Sequence, residues 1–282
     1  MPSPNKSKLI GPSIVAGLIL LLYLPSFDWM VNAWIHSDYY SHGFLVPLIS
    51  AAIVWSQRHH LDFGASNRIG LWLLAASLAL YIWGFVYASE FLRAISLLPL
   101  LAGIALHFGG YGTLKPLVFP ILFLAFMIPL PNINEIAADL QQFSSRMSAH
   151  ILDWIGIEVT RTGAQLQLAN TTLVIGLPCS GLNSLISLTA VAALMAYIVK
   201  GSLPLKSILF LAAIPIAILA NLLRITTLLL IGYHFGEDAA TGVIHDLMSP
   251  VFFILSILSL FAILRIIRKF DNALQSTQTN TE

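Results

Sequence analysis

The chain reads as an all-α polytopic membrane protein with about eight transmembrane helices, and three observations predict this. Hydrophobic residues make up 57% of the 282 residues and charged ones only 10%. A soluble domain carries roughly 45–50% apolar and about 25% charged residues. Mean hydropathy is +0.84, and apolar runs recur at lengths near the ~20 residues that cross a bilayer core. The formal net charge of +1 leaves no generally basic surface for nucleic acid. One cysteine excludes an intramolecular disulfide and a cysteine-rich zinc site.

The N-terminus, "MPSPNKSKLIGPSIVAGLILLLYLP", joins a basic start to an apolar stretch. No small-residue cleavage site follows, so it reads as a retained anchor rather than a signal peptide. Candidate spans fall at 9–25, 43–57, 69–87, 92–108, 116–130, 181–199, 206–231 and 247–267. Those at 43–57 and 116–130 are short and contain proline, which suits bent or partly re-entrant helices. Lysine and arginine accumulate in cytoplasmic loops. With the N-terminus inside, the inner segments hold Lys6, Lys8, Arg58, Arg68, Lys115, Lys200, Lys206, Arg265, Arg268 and Lys269. The outer ones hold Arg93, Arg146 and Arg161, and Arg224 lies within a span. Both termini are therefore expected on the cytoplasmic side of the membrane.

The whole chain, 1–282, is expected to form one integral membrane domain, with 131–180 as an extracytoplasmic insertion. In that insertion Ile133, Ile136, Leu140, Phe143, Met147, Ile151 and Trp154 recur at steps of three and four. This predicts an amphipathic helix lying along the outer membrane surface. In "VTRTGAQLQLANTTLVIG" Leu166 and Leu168 alternate with glutamines before a polar turn, which predicts a small β-hairpin. Its second arm runs into "GLPCSGLNSL", residues 176–185, and so brings Cys179 to the outer mouth of the sixth span.

Three polar groups are candidates for chemistry there. A buried cysteine is often an inert filler, but Cys179 has unusual company. Arg224 stands inside the apolar seventh span, about 10 Å below its outer end at 1.5 Å per residue. An intramembrane arginine is costly and by default functional, with snorkelling to the headgroups as the alternative. His245, in "TGVIHDLMSP", stands at the outer mouth of the eighth span, and His234 ends the seventh. Either imidazole is placed to serve the thiol, or to sit at the interface without chemistry. A free thiol is only a few per cent thiolate at pH 7, so a base that takes its proton creates the nucleophile. The same base can return that proton to a leaving amine, and a guanidinium can stabilise an oxyanion. Asp246 either orients His245 or faces water. The Asn183–Cys179 and Asn221–Arg224 pairs, each one helical turn apart, either orient the site or bond neighbouring helices. No HExxH, Walker loop or glycine fingerprint is present, so neither a metal nor a cofactor is expected.

"PCSGLNSL", "NLLRI" and "IHDLMSP", in that order, together with "FPILFLAFMIPLP" at 119–131, resemble the exosortase family of bacterial membrane proteins. The likeness is strongest from about 116 to 250. It implies a cysteine protease-transpeptidase whose catalytic Cys, Arg and His match Cys179, Arg224 and His245. It also implies substrates that are exported proteins with a C-terminal sorting signal: a short motif such as Pro-Glu-Pro, a membrane helix and a basic tail. Membrane lipid is the surrounding partner. The competing readings are a polytopic transporter, with Arg224 as counter-charge, and a non-catalytic component of envelope polysaccharide export. Against a transporter, the two halves show no repeat and no matched pair of broken helices.

Overall fold

The computed structural model describes residues 6–61 and 67–279. It is mostly helical, with one small sheet, and the chain divides into two compact units, 1–131 and 132–282.

In the first unit, α1 (Lys6–His36) leads to α2 (Leu45–Gln57), α3 (Ile69–Val86), α4 (Glu90–Ile95) and α5 (Leu97–Phe123). A single-turn helix, Leu124–Met127, follows α5 and leaves backbone groups without helical partners. Aromatic side chains satisfy them: Trp34 Nε1 donates to the Met127 carbonyl at 2.7 Å, and Leu130 N–H donates to Tyr40 Oη at 2.8 Å. Deeper in the apolar helices, Ser77 Oγ donates to the Ser96 carbonyl at 2.8 Å and Tyr23 Oη meets Ser96 Oγ at 2.7 Å.

The span count is where the structure departs from the sequence. Five helical stretches of the described residues are long and apolar enough to cross a membrane: Gly17–His36, Ile69–Val86, Glu90–Met127, Leu203–Phe235 and Glu237–Lys269. The segment expected at 43–57 is a helix of 13 residues, about 20 Å long at 1.5 Å per residue and short of the ~30 Å bilayer core. Those expected at 92–108 and 116–130 merge into one stretch interrupted at Gly110, whose φ of 64° and ψ of −166° only glycine adopts without strain. Gly110 reverses the path. Leu101 and Leu124 line one apolar groove of about 420 Å³ with Ala51 and Val54 of α2, whereas a straight helix would hold them roughly 35 Å apart. By length the stretch counts once, and by path it has two arms.

The second unit opens with α6 (Ile133–Trp154), followed by β1 (Thr160–Thr162), β2 (Gln165–Gln167) and β3 (Thr172–Val174). The sheet is antiparallel in the order β1-β2-β3. Where the sequence predicts a two-stranded hairpin, a third strand is added, because the Gly163-Ala164 turn returns β1 alongside β2 with Thr162 opposite Gln165. Then come α7 (Leu182–Ile198), α8 (Leu203–Phe235), the short α9 (Glu237–Thr241) and α10 (Val243–Thr279). At 17 residues, α7 is about 25 Å long. It packs with α8 and α10 around Leu188, Ala192, Leu209, Ala213, Ala217 and Leu260. The alanines let the backbones approach closely, as dispersion-driven packing within lipid requires.

The amphipathic helix predicted from the insertion is α6, and it has three faces rather than two. Its large apolar series stays partly open, with Phe143 43% and Trp154 88% exposed. Glu135, Asp139, Gln142, Arg146 and Asp153 form an exposed polar face. The buried face is built from small residues: Ala137, Ser144, Ser145, Ser148, Ala149 and, at its end, Leu152.

Candidate active site

Cys179 sits in a single-turn helix, Leu177–Ser180, between two unlike elements. Upstream, β3 delivers the chain with Leu173 and Ile175 buried against Leu152 of α6 and Ile225, Leu228 and Leu229 of α8. Downstream, Gly181 holds φ of +94° and starts α7. A Cβ at Gly181 would lie 2.7 Å from Asn221 Cγ, so close approach and backbone angle both demand glycine here. Pro178, in the first turn, suits a helix start because its missing N–H has no partner to lose.

A polar seam holds this turn in place. Asn221 Nδ2 of α8 donates to the Ser180 carbonyl at 3.0 Å and to Ser144 Oγ at 3.2 Å. Ser144 Oγ of α6 donates to the same carbonyl at 3.3 Å. Gln141, one turn earlier, donates to the Ile175 carbonyl, and Ser145 Oγ donates to the Gly163 carbonyl at 3.0 Å. The small face of α6 is therefore a platform bonded to both flanks of the cysteine turn. Sequence reasoning missed Ser144 and Gln141. Their signal was a run of small and polar residues beside the apolar stripe, which marks a helix face pressed against backbone.

Cys179 and His245 meet. Sγ lies 3.5 Å from Nε2, across 66 residues of sequence. His245 stands in the first turn of α10, where its N–H donates to the Gly242 carbonyl at 2.9 Å. Its Nδ1 lies 3.3 Å from Asp246 Oδ1, a long contact to a carboxylate whose side chain is 87% exposed. An acceptor on Nδ1 favours the tautomer in which Nε2 is free to take a proton. Water screens so exposed a carboxylate, so Asp246 orients the ring more than it charges it. The thiol itself is half-buried against the Leu166–Leu229 apolar cluster, on which Met248 also packs.

Arg224 is buried in α8, at 6% exposure, and its Nε has no hydrogen-bond partner among the described residues. It lies three residues beyond Asn221 and next to Ile225 of the cluster that packs against Cys179. No hydrogen bond joins it to Cys179 or His245 among the described residues. The other polar candidates part company from the thiol. His234 packs its ring against Tyr233 and Phe235. Asn183 Oδ1 accepts from Ser187 Oγ at 3.4 Å within α7.

Neither the comparison with curated proteins nor that with solved structures finds a match. The family model described as transmembrane exosortase matches residues 34–262, a stretch that contains Cys179, Arg224 and His245 and most of the helices described above. A polytopic helical chain so matched over most of its length belongs to the transmembrane exosortase family.

Proposed function

We propose that this protein is a cysteine transpeptidase-protease of the bacterial inner membrane. It cuts the C-terminal sorting signal of exported proteins and passes the new C-terminus to an amine or to water. The observation that carries the reading is the 3.5 Å approach of Cys179 Sγ to His245 Nε2. Membership of the transmembrane exosortase family supports it.

In this reading the thiol gives its proton to Nε2, and the thiolate attacks the carbonyl carbon of the scissile peptide bond. The guanidinium of Arg224, buried and with an unused Nε donor, stabilises the oxyanion. Such a charge is worth more in a site that excludes water. The imidazolium returns the proton to the leaving nitrogen as the C–N bond breaks. A thioacyl enzyme remains until an amine or water attacks the same carbonyl and releases Cys179. The substrate signal is a short motif of the Pro-Glu-Pro kind, a membrane helix and a basic tail. The bias of lysine and arginine toward one set of loops supports a topology with both termini in the cytoplasm and the thiol on the periplasmic side.

The test is mass spectrometry of the C-termini of exported proteins in cells with the wild-type protein and with Cys179→Ala. A set of proteins sharing one truncation motif is expected with the wild type and absent with the variant, at equal membrane abundance. The same truncations in Cys179→Ala cells would overturn the assignment.

A further inference from the structure

The edge of the small sheet next to the thiol has unused bonding capacity. Leu168 N–H donates to the Thr171 carbonyl at 2.8 Å, and Ile175 N–H donates to the Ala164 carbonyl at 3.0 Å. Leu166 lies opposite Leu173, and Gln165 opposite Val174. In an antiparallel ladder, residues bonding to the neighbouring strand alternate with residues that do not. Thr171, Leu173 and Ile175 therefore bond inward to β2, and the N–H and C=O of Thr172 and Val174 point outward. The order β1-β2-β3 leaves β3 at the rim. Among the described residues, no hydrogen bond reaches these outward groups. The Val174 side chain is 65% exposed, and Leu177, further toward the cysteine, is open as well.

Edge strands are usually blunted by charge, proline or a bulge. This one is Thr172-Leu173-Val174, short but otherwise unguarded, with two β-branched residues that favour extended backbone. It also leads straight to the thiol. Gly176 lies two residues beyond Val174, and a single turn follows, in which Cys179 N–H donates to the Gly176 carbonyl at 2.9 Å. Two extended residues cover about 7 Å, and the ends of such a turn lie within about 7 Å. Val174 is thus at most about 14 Å from Cys179, or roughly four extended residues.

We propose that the outer edge of β3 is the peptide-binding edge of this enzyme: an extended segment of the exported substrate, lying within about four residues of the scissile bond, adds to Thr172–Val174 as a fourth strand. The inference rests on the function proposed above and names how that site takes its substrate. Main-chain bonding supplies affinity whatever the side chains, while alternate substrate side chains face the protein and carry selectivity.

The test reads binding without catalysis. The probe is an exported reporter carrying the C-terminal signal of a protein that wild-type cells truncate. Single cysteines are walked along the residues flanking the cut, and the partner is the Cys179→Ala, Val174→Cys variant in membranes under mild oxidation. Disulfide adducts are expected at every second position, since only one face of an added strand meets residue 174. No adduct, or adducts without alternation, would overturn the proposal. In the active enzyme, Val174→Pro should raise KM for the reporter about tenfold more than Val174→Ala, because only proline lacks the N–H donor. Equal KM values would overturn it too. Failure of the function itself would appear separately, as processing of the reporter by Cys179→Ala alone.

Discussion

The side-chain amide of Asn221 donates to the carbonyl oxygen of Ser180 at 3.0 Å, tying α8 to the residue that follows the only cysteine. Ser144 of α6 bonds the same oxygen at 3.3 Å. Two helices therefore share control of one carbonyl, and through it of the position of Sγ.

Asn221 should act as a positioning residue. Asn221→Ala leaves the Ser180 carbonyl with Ser144 alone, and the hydrogen bond lost is worth about 0.5–1.5 kcal/mol. Membrane abundance is expected to hold while kcat for the reporter falls roughly tenfold and KM stays level. A change in KM with unaltered kcat would show that Asn221 contacts substrate instead.

Gly181 and Asn221 should be coupled. Gly181→Ala introduces a Cβ 2.7 Å from Asn221 Cγ at a φ of +94°, where a non-glycine residue costs about 1–3 kcal/mol. Adding Asn221→Ala removes the two 2.7 Å contacts but keeps Cβ at 3.0 Å and leaves the backbone strain. In a double-mutant cycle on processing rate, the double variant should lose less than the sum of the singles, by about 0.5–3 kcal/mol. Strict additivity would mean that the two residues do not press on each other.

Arg224 separates a clamp from a snorkelling charge. Loss of one oxyanion donor costs about 2.7–4 kcal/mol, roughly 10²–10³ in rate. Arg224→Leu removes the cost of inserting a cation, so it should insert at least as well as wild type and yet lose processing. Arg224→Lys keeps the charge but not the planar fork, and should process on the order of 10²-fold more slowly. The measurement is a pulse-chase of the tagged reporter with membrane abundance in parallel. Wild-type rates in both variants would remove Arg224 from the mechanism.

Orientation can be read with an impermeant maleimide. In a Cys179→Ala background, Asn170→Cys should label from outside intact cells and Ser202→Cys only after lysis. Asn170 lies in the β2–β3 turn, exposed, and Ser202 caps the start of α8 by accepting from Leu205 N–H. Labelling of Ser202→Cys from outside and of Asn170→Cys only after lysis would reverse the assignment of the thiol to the periplasmic side.

Membrane character, the amphipathic helix ahead of the cysteine and the order of the Cys, Arg and His motifs were legible in the sequence. Each rests on a local pattern: apolar run length, a 3.6-residue period, or a short string with a lone reactive residue. Span number was less legible, because apolarity does not reveal where a helix folds back. Gly110 turns one apolar stretch into two arms by adopting a backbone angle that hydropathy does not register.

The family resemblance implied His245 rather than His234, but the contact of its imidazole with the thiol exists only in the tertiary structure. Both histidines stand near span ends, and only the packing of α10 on α8, with Gly236 and Gly242 bracketing α9, brings one imidazole to Sγ. The sequence alone determined that a cysteine, an arginine within an apolar span and a histidine belong to one membrane protein, since composition and motif order are properties of the chain. The small face of α6, the Asn221–Ser144–Ser180 seam and the open edge of β3 exist only once segments distant in sequence meet. Hydrogen bonds between distant backbone and side-chain groups leave no periodic trace in the residues that make them.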